Sequence, residues 1–195
     1  MTVLSHPRPP LVDRALRDAQ RWCMGHTIDD RPALAHAVRV AVTIGDHVAA
    51  PESDMIAAAL LHDVPDFAPP GENLYRTLTE DYGPEVPRII AALHDEHQAL
   101  DHPNPPIMVE DAAVVVASTA DKIVALTSLL RRARASGDVT DFFSRRPTLV
   151  ALLPYFRAYS YACRPHTPAS LSAALEAVLH LLDRATSNVR PLPAR

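Results

Sequence analysis

The chain has 195 residues and a formal net charge of -4. This length allows one domain with a full hydrophobic core, and the charge argues against a general nucleic-acid-binding surface. Cys23 and Cys163 lie in apolar surroundings without metal-type spacing, which favours reduced core residues over a disulfide. No run reaches the roughly 18 uninterrupted apolar residues of a membrane span, and residues 1–10 lack the apolar stretch of a secretory signal. We therefore expect a cytoplasmic protein with no membrane contact.

Apolar residues recur at helical spacing along most of the chain, and no segment alternates like a half-buried strand. Nineteen prolines separate these segments. We therefore predict a single all-α domain over residues 11–186, with a flexible N-terminus at 1–10 and a flexible tail at 187–195. Proline-rich loops are expected at 68–71 and 102–106. The predicted helices cover residues 11–25, 32–49, 53–64, 73–82, 84–100, 107–134, 139–146, 148–163 and 168–185.

The second and third predicted helices carry the first candidate site residues. His36 lies just beyond the apolar face of the second helix, where a lone histidine is more often structural than functional. The third helix is apolar and ends in His62 and Asp63. An imidazole and a carboxylate at the rim of a core are costly to desolvate unless a partner such as a metal cation binds them. The alternative is that His62 caps the helix and Asp63 is solvated.

The long predicted helix over residues 107–134 is apolar almost all round, so we expect it to be central. Asp121 interrupts its middle. A buried carboxylate within a helix needs a partner, which is either an arginine or a metal.

Together, these candidates make a plausible metal-ligand set. Two neutral imidazoles and two carboxylates neutralise a divalent cation and suit Mn²⁺, Fe²⁺ or Zn²⁺ better than Ca²⁺. On an octahedral ion, four protein ligands leave two positions open for a phosphoryl oxygen and for a water whose pKa the ion lowers. The predicted ligands are His36, His62, Asp63 and Asp121.

The spacing of these four residues resembles that of HD-domain metal-dependent phosphohydrolases. The finer motifs resemble the alarmone hydrolase branch, which includes small stand-alone (p)ppGpp hydrolases. Residues 57–64 match its AAALLHDV motif, residues 82–86 its FGxEV motif and residues 120–122 its LADK motif. The resemblance covers residues 12–185 and implies an HD-domain helical bundle, Mn²⁺ as the usual metal, and hydrolysis of a phosphorylated nucleotide such as ppGpp with release of pyrophosphate. It leaves the oligomeric state open, a homo-oligomer included.

The sequence departs from this branch at three places. The family follows its His-Asp pair, after two residues, with a Glu-Asp pair that helps to activate the water, whereas this chain has Asp66 and Phe67. The resemblance therefore implies Asp66 as the catalytic carboxylate, although it could simply be a turn residue after Pro65. The family asparagine near the nucleoside is Ala125 here, and residues 25–33 lack the family's tyrosine and basic residues. The family's metal site is thus preserved, whereas its guanosine pocket is not.

Two further residues are candidates for substrate binding. A family lysine that reaches the substrate phosphates occupies about the position of His97, so the resemblance implies a phosphate contact there. The alternative is a solvated helix end, since His97 belongs to a polar cluster together with His94 and His102. Lys122 follows a predicted ligand, and a cation beside a phosphate site would stabilise developing negative charge. It could equally be a helix-surface lysine.

Three functions are consistent with this sequence. The first is a mononuclear metal-dependent phosphohydrolase, and the second is a nucleotide-binding regulatory protein that has lost efficient catalysis. The third is a diiron oxygenase of the same fold, which needs His94, His97 or His102 to reach a second metal beside Asp63.

Overall fold

A computed structural model of the chain describes residues 2–28, 31–69 and 73–189. The predicted all-α fold is confirmed, because almost all regular structure in these residues is helical. The prediction of no strand is wrong in one place. Thr27–Ile28 (β1) and Arg31–Pro32 (β2) pair antiparallel, and strands of two residues are too short for an alternating pattern.

The helices are α1 Pro10–Trp22, α2 Ala33–His47, α3 Ser53–Leu61, α4 Val64–Phe67, α5 Leu74–Tyr82, α6 Glu85–Ala99, α7 Ala112–Ala135, α8 Val139–Ser144, α9 Pro147–Ala151, α10 Leu153–Cys163, the 3-10 helix Arg164–His166 and α11 Ala169–Thr186.

Several predicted helix ends differ from those observed, for local reasons. The long helix α7 begins later than predicted because the Asp111 side chain accepts hydrogen bonds from the backbone N–H groups of Ala113 and Val114. The predicted helix over 148–163 is divided into α9 and α10, and Pro154 occupies the first turn of α10.

Helix α7 runs through two hydrophobic cores. Its N-terminal half belongs to one core together with α1, α2, α3, α5 and α6, and its C-terminal half belongs to a second core together with α8, α10 and α11. By length and composition alone, this one helix of the described residues could span a membrane, yet 72% of its apolar window is buried inside the protein. The apolar character of α7 is therefore explained by its central place in the fold.

The chain ends were predicted to be flexible. Val3 lies directly against Gly45 of α2, where no side chain would fit, and Arg8 donates hydrogen bonds to Asp13 and to the Leu4 carbonyl. Part of the N-terminus thus contacts the core, while its flexibility remains a prediction. Residues 70–72 of the predicted proline loop and 190–195 of the predicted tail lie outside the described residues.

Candidate metal centre

Three helices bring the four predicted metal ligands together. His36 comes from α2, His62 and Asp63 from the turn after α3, and Asp121 from the middle of α7, and all four are buried. His36 Nε2 lies 2.8 Å from Asp121 Oδ1. His62 Nε2 lies 3.3 Å from Asp63 Oδ1 and 3.6 Å from Asp121 Oδ1. His36, His62 and Asp121 offer ligand atoms within 4.8 Å of one another, so this group could hold a divalent metal ion.

Two buried polar atoms in this cluster have no hydrogen-bond partner. His62 Nδ1 donates to the Ala59 carbonyl oxygen at 2.9 Å, which directs Nε2 towards the carboxylates. His62 Nε2 and Asp63 Oδ2 are the unpartnered atoms. Buried polar atoms without partners are rare because their desolvation is not repaid. Both atoms lack the partner that a cation bound within this cluster would supply, so the residues present fit a bound metal; the group with ligand atoms within 4.8 Å of one another contains His62 and not Asp63.

Asp121 and His62 of this cluster have shifted pKa values even without a metal. Burial alone would raise the pKa of Asp121, but contacts with His36, His62 and His97 outweigh it and hold this pKa well below its usual value. Burial disfavours the charged form of His62, and the adjacent Asp63 and Asp121 carboxylates overcome this effect and raise its pKa to about 9. A raised His62 pKa means that protonation of this imidazole competes with metal binding.

This competition predicts a pH dependence of metal affinity. Below pH about 9 a metal must displace the His62 proton, so affinity should rise by about tenfold per pH unit as the pH increases towards that value. Equilibrium dialysis against Mn²⁺ between pH 6 and 9, with metal counted per chain, measures the slope. A pH-independent affinity would contradict competition between the His62 proton and the metal.

Helix α6 adds His97 to the cluster. His97 Nε2 donates to Asp121 Oδ2 at 3.0 Å, and its ring centre is 6.0 Å from that of His62. This contact argues against the alternative of a solvated helix end, and the phosphate contact predicted for His97 stays untested. The other two histidines lie elsewhere, with His94 Nδ1 3.6 Å from Asp66 Oδ1 and His102 exposed in the following turn.

Lys122 points into the protein interior and forms an ion pair that its sequence context did not predict. Its Nζ lies 2.9 Å from Glu96 Oε1 and donates to Ser118 Oγ at 2.8 Å. Tyr159 presents its ring face 4.4 Å from the same nitrogen. The ammonium is buried, so the surface-lysine alternative is wrong. The predicted contact between Lys122 and a substrate phosphate finds no support in this geometry and stays untested.

Glu96 is the buried partner that sequence reasoning missed. Its side chain is 2% exposed, and Ser118 Oγ and Tyr155 Oη donate to its two carboxylate oxygens. Glu96 precedes His97 on α6, as Lys122 follows Asp121 on α7. The ion pair therefore joins the two helices directly behind the candidate metal centre. The available signal was the single lysine of the chain within an apolar helix, which requires a buried acid nearby.

Asp66 and Phe67 lie on the short helix α4, immediately after the His-Asp pair. The Asp66 side chain is 46% exposed and faces His94; in the described residues, its carboxylate makes no hydrogen bond with a predicted ligand. Phe67 stacks on His26, with ring centres 4.4 Å apart, and lines a separate cavity of about 490 Å³ with Trp22. The family's second acid is thus replaced here by an aromatic contact.

No protein-family model matches the sequence, and no curated protein matches it significantly. The fold is similar to a solved structure described as a metazoan ortholog of SpoT that hydrolyses ppGpp and plays a role in starvation responses. The TM-score is 0.64 at 14% sequence identity, over 90% of this chain and 97% of that one. At such low identity the likeness establishes the fold alone. The chain therefore has the all-α HD-domain fold that its motifs predict, and shares this fold with a ppGpp hydrolase.

Proposed function

We propose that this protein is a mononuclear metal-dependent phosphohydrolase that acts on a phosphorylated nucleotide. The observation that carries the proposal is the pair of buried, unpartnered atoms on His62 and Asp63, within a cluster of histidines and aspartates. The fold shared with a ppGpp hydrolase supports ppGpp as the first substrate to test, with pyrophosphate as a product. Mn²⁺ is the proposed metal, and a cytoplasmic location is proposed with it.

The predicted metal ligands and His97 have separate proposed roles. His36, His62, Asp63 and Asp121 would hold the ion, which supplies positive charge for a phosphoryl group and lowers the pKa of a water. His97 lies beside Asp121 and is therefore close to any phosphoryl group bound there.

Asp66 is the proposed general base, because it lies on the helix that directly follows Asp63 and carries an accessible carboxylate. Its neighbour His94, with Nδ1 3.6 Å away, could take up the proton that Asp66 accepts.

A nucleotide panel tests this function. Mn²⁺-loaded protein is incubated with ppGpp, pppGpp, GDP, GTP and deoxynucleoside triphosphates, and the release of phosphate and pyrophosphate is measured. We expect release from at least one nucleotide, and we expect none after the metal is removed with a chelator. Binding of a nucleotide without any turnover would instead favour the regulatory alternative, in which Phe67 and Ala125 have removed efficient catalysis.

The diiron oxygenase is a weaker second candidate. One observation favours it, because His97 reaches Asp121 and could bind a second metal near Asp63. The other two candidate histidines do not join the cluster, since His94 faces Asp66 and His102 is exposed. A count of two irons per chain would select this alternative over the mononuclear hydrolase.

A further inference from the structure

A polar groove lies between α2 and α7, beyond the predicted metal ligands. It has a volume of about 190 Å³ and carries two arginines and three hydroxyl groups on an apolar floor. The polar lining residues are Arg39, Thr43, Thr127, Ser128 and Arg131.

The groove leads away from the metal centre along both helices. Arg39 follows His36 on α2 by three residues, or about 4.5 Å of helical rise. Arg131 follows Asp121 on α7 by ten residues, or about 15 Å. The lining residues therefore follow a predicted ligand on each helix, within about one turn on α2 and over about 15 Å of helical rise on α7.

Among the described residues, neither of these two arginines forms an ion pair. Both are exposed, and among the residues that the structure describes no carboxylate lies within ion-pair distance of either guanidinium. Elsewhere on this surface, arginines such as Arg88, Arg157 and Arg164 form ion pairs with neighbouring acids. Two unpaired guanidinium groups that face one groove leave a local positive charge to which an anion is attracted.

The cleft on the other side of α7 has the opposite charge. It lies between α6, α7 and the loop before α7, and it is lined by Asp95 and Glu110 together with apolar residues such as Ile107. These carboxylates would repel a phosphate. A polyanionic ligand held at the metal centre is therefore expected to extend towards Arg39 and Arg131 rather than into this acidic cleft.

We propose that Arg39 and Arg131 bind a second phosphate group of the nucleotide whose first phosphate is held at the metal centre. This inference rests on the proposed function and adds two arginines of this chain as the residues that would recognise the second phosphate of the substrate. Pockets that hold a whole ligand have volumes of roughly 300–1,000 Å³. This groove is smaller, so it would hold only one end of the nucleotide. Paired guanidinium groups suit this role because their planar forks match phosphate oxygens.

The test measures binding by Mn²⁺-loaded wild type, Arg39→Gln, Arg131→Gln, the double variant and a control. The control is Arg184→Gln on α11, which removes the same charge from an exposed position outside this groove. The probes are ppGpp, which carries diphosphates at two positions, and inorganic pyrophosphate, which can occupy the metal centre alone. Ligand integrity is checked by chromatography, and KM replaces Kd for any probe that is hydrolysed.

We expect the double variant to bind ppGpp about 10- to 100-fold more weakly than wild type. Its affinity for pyrophosphate and its metal content should change less than twofold, as should all affinities of the control. Unchanged ppGpp affinity, or an equal loss for both probes, would overturn the inference. If the double variant hydrolyses ppGpp with an unchanged KM, the proposed hydrolase function is retained but the second-phosphate site is rejected. If ppGpp binding depends on the arginines but no nucleotide is hydrolysed, the second-phosphate site is supported and the hydrolase function is not. If the wild type does not bind ppGpp at all, the second-phosphate site is rejected.

Discussion

Replacement of Lys122 by methionine should lower the free energy of unfolding by about 3–5 kcal/mol, the largest stability effect that we expect in this protein. The reason lies in the buried ion pair. Lys122 is 4% exposed and Glu96 is 2% exposed, so loss of the ammonium leaves a carboxylate charge in the core. Ser118 and Tyr155 would still donate hydrogen bonds to that carboxylate but cannot neutralise it.

Urea unfolding followed by circular dichroism measures this effect. The double variant Glu96→Gln with Lys122→Met removes both charges and should recover part of the lost stability, whereas Arg184→Gln should change it by less than about 0.5 kcal/mol. A loss below about 1 kcal/mol in Lys122→Met would mean that the pair is not buried as described. If Lys122→Met has the stability of the wild type but releases less phosphate, Lys122 would instead have the substrate-binding role predicted from the sequence.

Replacement of Asp66 by asparagine should lower the rate of nucleotide hydrolysis by about 10²–10⁴, the range that general-base catalysis typically contributes. Phe67 cannot accept a proton, which leaves Asp66 as the accessible carboxylate closest in sequence to the predicted ligands. Asparagine has nearly the same shape, and the Asp66 side chain is 46% exposed. We therefore expect metal content and stability to remain at wild-type values.

The measurement is single-turnover release of phosphate or pyrophosphate with Mn²⁺ present. Asp101→Asn serves as a matched control, because it removes an exposed carboxylate in the turn after α6. Equal rates for wild type and Asp66→Asn would make Asp66 a turn residue and place the base elsewhere. Restoration of the family pair, by Asp66→Glu together with Phe67→Asp, should raise the rate if the wild type is a weakened hydrolase.

The fold class and the residues of the candidate cluster could be predicted from the sequence because both depend on local patterns. Asp121 stood out because a carboxylate in an apolar helix must have a partner. His62 and Asp63 stood out because they end an apolar helix. Their convergence with His36 was implied by the family resemblance, and the structure brings all four residues together.

The orientation of individual side chains could not be predicted in the same way. Lys122 and Asp121 are adjacent in sequence, yet a step of one residue turns the side chain by about 100° around a helix. Lys122 therefore faces Glu96 while Asp121 faces the histidines. The pairing of Glu96 with Lys122, like the groove at Arg39, depends on how α2 and α6 pack against α7. That packing is a tertiary property which helical periodicity does not specify.

The metal content of the purified protein tests the central claim most directly. Wild-type protein, His62→Ala and Asp121→Ala are each dialysed against Mn²⁺, the metal is counted by elemental analysis, and helical content is followed by circular dichroism. We predict one ion per chain in the wild type and less than a tenth of that in either variant, with the helical signal retained. Full retention of the metal by both variants would contradict the proposed metal centre.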